Sequence, residues 1–172
     1  MFSTTVLAGN ILQTATAPEV GITAKVIQPL TGSLEITLKS APEDLDFGQT
    51  DYIKFYITSN YPETVRIIPM GNLFNINNEL TVNNSSVQGK IVTSQVFLYN
   101  ANESFYLSAT TFDNFVLNGI LIPANTTTVL RIPVTMPGSE LSVLDQWNNN
   151  ILYTVARGDS LNLNLVVNVE EN

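Results

Sequence analysis

The side chains able to do chemistry in this sequence are few, and the densest group of them is acidic. Glu43, Asp44, Asp46 and Asp51 crowd the segment SAPEDLDFGQTD, residues 40–51. Clustered carboxylates suit a hard cation such as calcium, which takes about six to eight oxygen ligands. The spacing, however, lacks the alternating Asp positions, the turn Gly and the closing Glu of a helix–loop–helix calcium site. A solvated loop is therefore the better reading, with these four acids as a weak calcium candidate. Two carboxylates could in principle meet for glycoside hydrolysis, but no spacing among the acids selects a pair.

Histidine and cysteine are both absent. That removes the commonest general base near neutral pH, the commonest transition-metal ligand, thiolate catalysis and disulfides together. A serine nucleophile would then need a lysine base. No Ser-x-x-Lys occurs before Lys25, Lys39, Lys54 or Lys90, so this route is rejected. Arg157-Gly158-Asp159 resembles an adhesive tripeptide, yet a turn that needs a glycine explains it without a partner. The expectation is a non-enzymatic protein with no catalytic residue, no metal and no cofactor.

Composition narrows the class further. The chain is 44% hydrophobic but only 13% charged, with a net charge of −8 and seven Lys and Arg in all. Disordered chains are poor in apolar residues and usually rich in charge, so a folded domain is expected. Binding nucleic acid or an anionic membrane needs clustered cations, so neither partner is expected. No apolar run approaches the ~20 residues of a membrane span. Residues 6–12 (VLAGNIL) followed by Ala15-Thr16-Ala17 outline a faint signal peptide. They lack a basic start, and Pro18 would follow the cut directly, so an N-terminal arm is preferred.

The elements that would position any site are strands. Residues 161–169 (LNLNLVVNV) alternate Leu161, Leu163, Leu165, Val167 and Val169 with mostly Asn, the period of a half-buried strand. Residues 1–18 read as an extended arm or first strand, and residues 19–172 as a single domain. Val20, Ile22, Ala24 and Val26 share one phase, as do Leu34, Ile36 and Leu38. In DYIKFYIT, residues 51–58, Ile53, Phe55 and Ile57 alternate against Tyr52, Lys54 and Tyr56. Residues 112–138 read as a strand, a turn at Pro123-Ala124-Asn125 and a second strand carrying Leu130, Ile132 and Val134. Pro133 has no amide donor and marks that strand as an edge or its end. One helix is expected, capped by Ser139, with Leu141, Leu144 and Trp147 on one side. Residues 151–156 and the final strand should form a hairpin around 157–159. The sum is about eight to ten short strands, hence an all-β, immunoglobulin-like or jelly-roll β-sandwich.

Asn83, Asn84, Asn102 and Asn125 begin N-glycosylation sequons, all in expected loops or strand ends. With the low charge they favour an extracellular location or a cell or virion surface. Tyr52, Tyr56, Phe97, Tyr99, Phe105 and Tyr106 fall in or beside strands. Those pointing inward would be core, and an outward tyrosine row would mark a contact surface.

Two families resemble parts of the chain. Residues 115–144 (FVLNGILIPANTTTVLRIPVTMPGSELSVL) look like the second half of the water-stress, late-embryogenesis-abundant type of immunoglobulin-like domain. There a similar strand pattern precedes a short helical stretch. KFYITSNYPETVRI, residues 54–67, sits where that family has Asn-Pro-Asn but carries Asn60-Tyr61-Pro62 instead. The resemblance implies an immunoglobulin-like sandwich and no activity. The general layout also resembles subunits of donor-strand filaments, cysteine-free fimbrial pilins and archaeal thread-like filaments, in which an N-terminal arm fills a groove in the neighbouring subunit.

The resulting expectation is a structural subunit that associates with itself, or with other structural proteins of the same assembly. Val6, Leu7, Ile11 and Leu12 would supply the arm, and Leu161, Leu163 and Leu165 the groove. An edge strand at residues 129–134 is an alternative contact. A virion coat or spike protein fits the same composition. A monomeric carbohydrate-binding or desiccation module would instead show outward aromatics over an open sheet face.

Overall fold

A computed structural model of the chain describes residues 6–7, 10–11, 30–70, 73–76, 80–82, 91–92, 94–137, 140–144, 150–163 and 165–172. The expected strand at Val20 to Val26 lies outside these residues, as do Leu12, Asn83 and Asn84. In chain order the strands are β1 (Val6–Leu7), β2 (Asn10–Ile11), β3 (Leu34–Ser40), β4 (Thr50–Ser59) and β5 (Val65–Pro69). Then come β6 (Phe74–Ile76), β7 (Leu80–Val82), β8 (Val96–Asn100), β9 (Tyr106–Thr110) and a helix, α1 (Phe112–Asn118). The last six are β10 (Ile120–Ile122), β11 (Thr126–Thr135), β12 (Glu140–Leu144), β13 (Asn150–Thr154), β14 (Leu161–Leu163) and β15 (Val167–Glu171).

The architecture is the expected all-β sandwich, open rather than closed into a barrel. One layer is a five-stranded antiparallel sheet in the order β3-β4-β11-β8-β9; the other contains β10-β5-β15. The alternation read in residues 51–58 holds. Ile53, Phe55 and Ile57 face inward, where they join Leu98, Leu130 and Ile132 from the same sheet. Val65, Ile67, Ile120 and Ile122 close the core from the opposite layer, with Phe74, Phe112 and Phe115 beside them. Burying a side chain of this size contributes about 1.5–3 kcal/mol.

Several expectations are corrected. The helix is α1, not the segment after Ser139. Thr111 caps it by accepting from the Asn114 amide at 3.3 Å, and Gly119 closes it at φ 68°. Phe112, Phe115 and Val116 have helical spacing and face the core. Residues 140–144 are instead strand β12, laddered with β13 from Glu140↔Thr154 to Leu144↔Asn150. The partner strand supplies backbone hydrogen bonds that a local helical reading cannot anticipate. β13 therefore pairs with β12 rather than with the final strand, although Arg157-Gly158-Asp159 does turn, with Gly158 at φ 92°.

The final strand is not continuous. β14 pairs with β6, whereas β15 pairs with β5. Leu165 and Val166 make the crossing, where Met70 N donates to Val166 O at 2.7 Å. Leu161, Leu163, Leu165 and Val167 still share the core-facing phase, but Val169 is exposed. β11 is central, not an edge. Its pairing with β8 covers only Thr128 to Arg131, so Pro133 lies past that ladder and faces Tyr52 of β4 alone. Residues 129–131 are therefore paired on both sides and offer no free edge, whereas 132–134 ladder with β4 alone.

Candidate functional site

Two surfaces of the sandwich carry chemistry. The first is a groove of about 660 Å³ with a mixed polar and apolar lining at the end of the sandwich, between the inner face of β3 and β4 and strand β14. Leu38, Ile53 and Phe55 line one wall, Val134 and Met136 the floor, and Leu161 and Leu163 the other wall. Glu43, Asp44 and Asp159 stand at its mouth. Two of the three residues expected on the groove side, Leu161 and Leu163, are thus brought together there, while Leu165 packs against the core. Leu38 is 62% exposed although it belongs to the inward phase of β3. A large apolar side chain left open in an inward position marks a core that ends unfinished. β3 and β9 are the outer strands of their sheet.

Of the arm residues, Val6 and Leu7 ladder with Ile11 and Asn10, a two-stranded ribbon among the described residues.

The second surface is the outward face of the five-stranded sheet. Antiparallel register stacks side chains of one phase into rows across the strands. One row is Tyr56, Val129, Tyr99 and Tyr106; the next is Lys54, Arg131 and Phe97; Tyr52 follows beside Pro133. Of the two alternatives for these rings, the outward row is the one present. Its rings meet at centroid separations of 6.2–6.3 Å among Phe97, Tyr99 and Tyr106. Arg131 lies over Tyr99 at 4.0 Å, and the Lys39 ammonium lies over Tyr56 at 4.8 Å.

Glu103 completes this face. The turn between β8 and β9 holds it at φ 56°, with its amide donating to Asn100 O at 2.9 Å. Asn102 shapes the turn by accepting from Asn100 Nδ2 at 2.6 Å and from the Ser104 amide at 3.1 Å. From there the Glu103 carboxylate reaches over the sheet to ion-pair with Lys39, with Arg131, and with Lys54 at 3.2 Å. Its Oε2 faces Lys54 and Arg131 at ionic distance without hydrogen-bond alignment, and Arg131 Nε is buried without an acceptor. Burial pushes the carboxyl pKa upward, but the three cations outweigh that and hold it at about 2. The bond to Glu103 likewise raises Lys39.

Sequence reading had singled out Tyr52, Tyr56, Phe97, Tyr99 and Tyr106 but missed Glu103 and its three cations. The sequence held a signal only for the turn, in Asn102-Glu103-Ser104.

The acidic segment forms no metal cage. Asp51 is the second residue of β4 and accepts from the Tyr52 amide at 2.7 Å, whereas Glu43, Asp44 and Asp46 belong to the preceding loop. Among the described residues no group of three or more acidic side chains converges on a cation position. Of the sequons, Asn102 and Asn125 are both exposed, Asn125 at φ 48° in the turn before β11. Among the described residues no helix is long and apolar enough to cross a membrane.

No family model matches this chain, and no curated protein matches it.

Proposed function

We propose that this protein is a non-enzymatic structural subunit of an extracellular or surface assembly, associating with itself by strand addition. The observation that carries this reading is the leucine-lined groove beside the outer strand β3. The occupant is the arm, residues 1–18, of a second copy. That segment contains no charged side chain and supplies Val6, Leu7, Ile11 and Leu12. An uncharged apolar strand gains both ladder hydrogen bonds along an open edge and the burial of its alternate side chains. Opening the β1–β2 ribbon costs little, because an isolated two-stranded ribbon is only marginally stable.

The test is the mass distribution of the full chain and of a chain lacking residues 1–18, by light scattering and negative-stain microscopy. Filaments or particles that vanish with the arm support strand addition; unchanged assembly of the truncated chain sinks it. Copy number in purified particles distinguishes a virion coat from a cellular filament.

A carbohydrate-binding module is the second reading, favoured by the outward rings. Sugar stacking needs free ring faces, however, and Lys39 and Arg131 already cover Tyr56 and Tyr99. Tyr106 and Phe105, where β9 begins, remain exposed.

A further inference from the structure

We infer that the outward face around Lys54 and Arg131 is a second docking surface, and that its occupant is the acidic loop of another copy of this chain, through Glu43, Asp44 and Asp46. The inference deepens the assembly reading and rests on a different surface from the groove.

The charge balance points to it. Three of the chain's seven cations converge on Glu103, so Lys39, Lys54, Arg131 and Glu103 together carry +2 on a protein of net charge −8. Among the described residues of the same face, Glu35, opposite Thr58 and four positions along β4 from Lys54, adds negative charge. Anchoring one turn needs one such pair; the two remaining cations repel one another and favour a further carboxylate. Arg131 is fixed by stacking on Tyr99, and its side chain and that of Lys54 remain 22% and 26% exposed. A guanidinium fixed in place by stacking loses little freedom on binding a carboxylate.

The complementary group is on the same chain. Glu43, Asp44 and Asp46 are exposed and have no ion-pair partner among the described residues, and Phe47 beside them is 45% exposed. Glu43 and Asp44 cannot meet Lys54 within one copy, because they border a groove lined by the inward residues Ile53 and Phe55 of β4, while Lys54 points outward; Asp46 follows two residues on in the same loop. A contact between unlike patches is heterologous, and it propagates unless the rotation closes a ring.

Such a contact is electrostatic and weakens with salt, whereas strand addition does not. The experiment measures the mass distribution of the full chain by light scattering and sedimentation in low salt (about 0.02 M) and high salt (about 0.5 M). It compares the natural chain with a loop variant, Glu43→Gln with Asp44→Asn and Asp46→Asn, and with Lys54→Gln. The expected result is a salt-sensitive association step, weakened roughly tenfold or more by high salt, that both variants lose. Mixing the two variants should restore one salt-sensitive contact per pair, giving a 1:1 dimer that does not propagate, since each retains one intact half. A mass distribution independent of salt, or salt dependence undiminished in the loop variant, overturns the inference. A salt-resistant polymer that needs residues 1–18 reports on strand addition separately, so either contact can fail without the other.

Discussion

The Glu103 carboxylate meets the Arg131 guanidinium across the outer face of the five-stranded sheet, with Tyr99 behind the guanidinium at 4.0 Å. The pair ties the β8–β9 turn to the central strand β11, and Lys39 and Lys54 extend the tie to β3 and β4. One side chain thereby links three of the five strands to a turn.

Glu103→Gln should therefore destabilise the fold, by about 2–4 kcal/mol, because it leaves three partly buried cations without their counter-charge. The urea midpoint should fall with little change in slope. A midpoint within error of the natural chain would show that the cluster contributes nothing to stability.

The same carboxyl predicts the acid limb. Its folded pKa of about 2 lies below the ordinary value of 4.5, so its contribution is fully present above about pH 4.5. It is lost as pH falls toward 2, and solvent screening at the partly exposed partners holds the amount at stake to about 1–2 kcal/mol. Stability measured from pH 6 to pH 2 (about that range) should decline in the natural chain more steeply than in Glu103→Gln. Parallel profiles would assign the acid limb to other carboxylates.

Gly119 and Gly158 separate backbone strain from collision. Both have positive φ, 68° and 92°. A Cβ on Gly119 would sit 2.0 Å from the Ile67 carbonyl oxygen, whereas one on Gly158 meets nothing within 4 Å. Gly158→Ala should cost about 1 kcal/mol and Gly119→Ala several, since α1 would have to move off β5. Thermal melts of the two variants check the order.

Leu38→Glu tests the groove without disturbing the core. Leu38 is 62% exposed, so the change should alter stability by no more than about 0.5 kcal/mol. It places a charge where the arm of a second copy would lie, and assembly should be lost in light scattering. Intact assembly with an unchanged midpoint would remove the groove as the contact.

Local pattern alone carried the fold class. Period two in residues 51–58 and in Leu161, Leu163 and Leu165 identified strands and their inward faces, because burial on one side of a sheet imposes that spacing whatever the partner. The absence of histidine and cysteine limited the available chemistry before any fold was known.

Pairing was decided only in three dimensions. Residues 140–144 became β12 because β13 offers a ladder, and α1 formed at Phe112–Asn118, where Thr111 and Gly119 close both ends and two phenylalanines reach the core. The strand at 161–169 divided because β6 and β5, in different sheets, each claim one part. The cluster at Glu103 was hidden for the same reason. Its four charged groups come from three strands and a turn far apart in the chain, and only the register of β3, β4, β11 and β8 brings them onto one face.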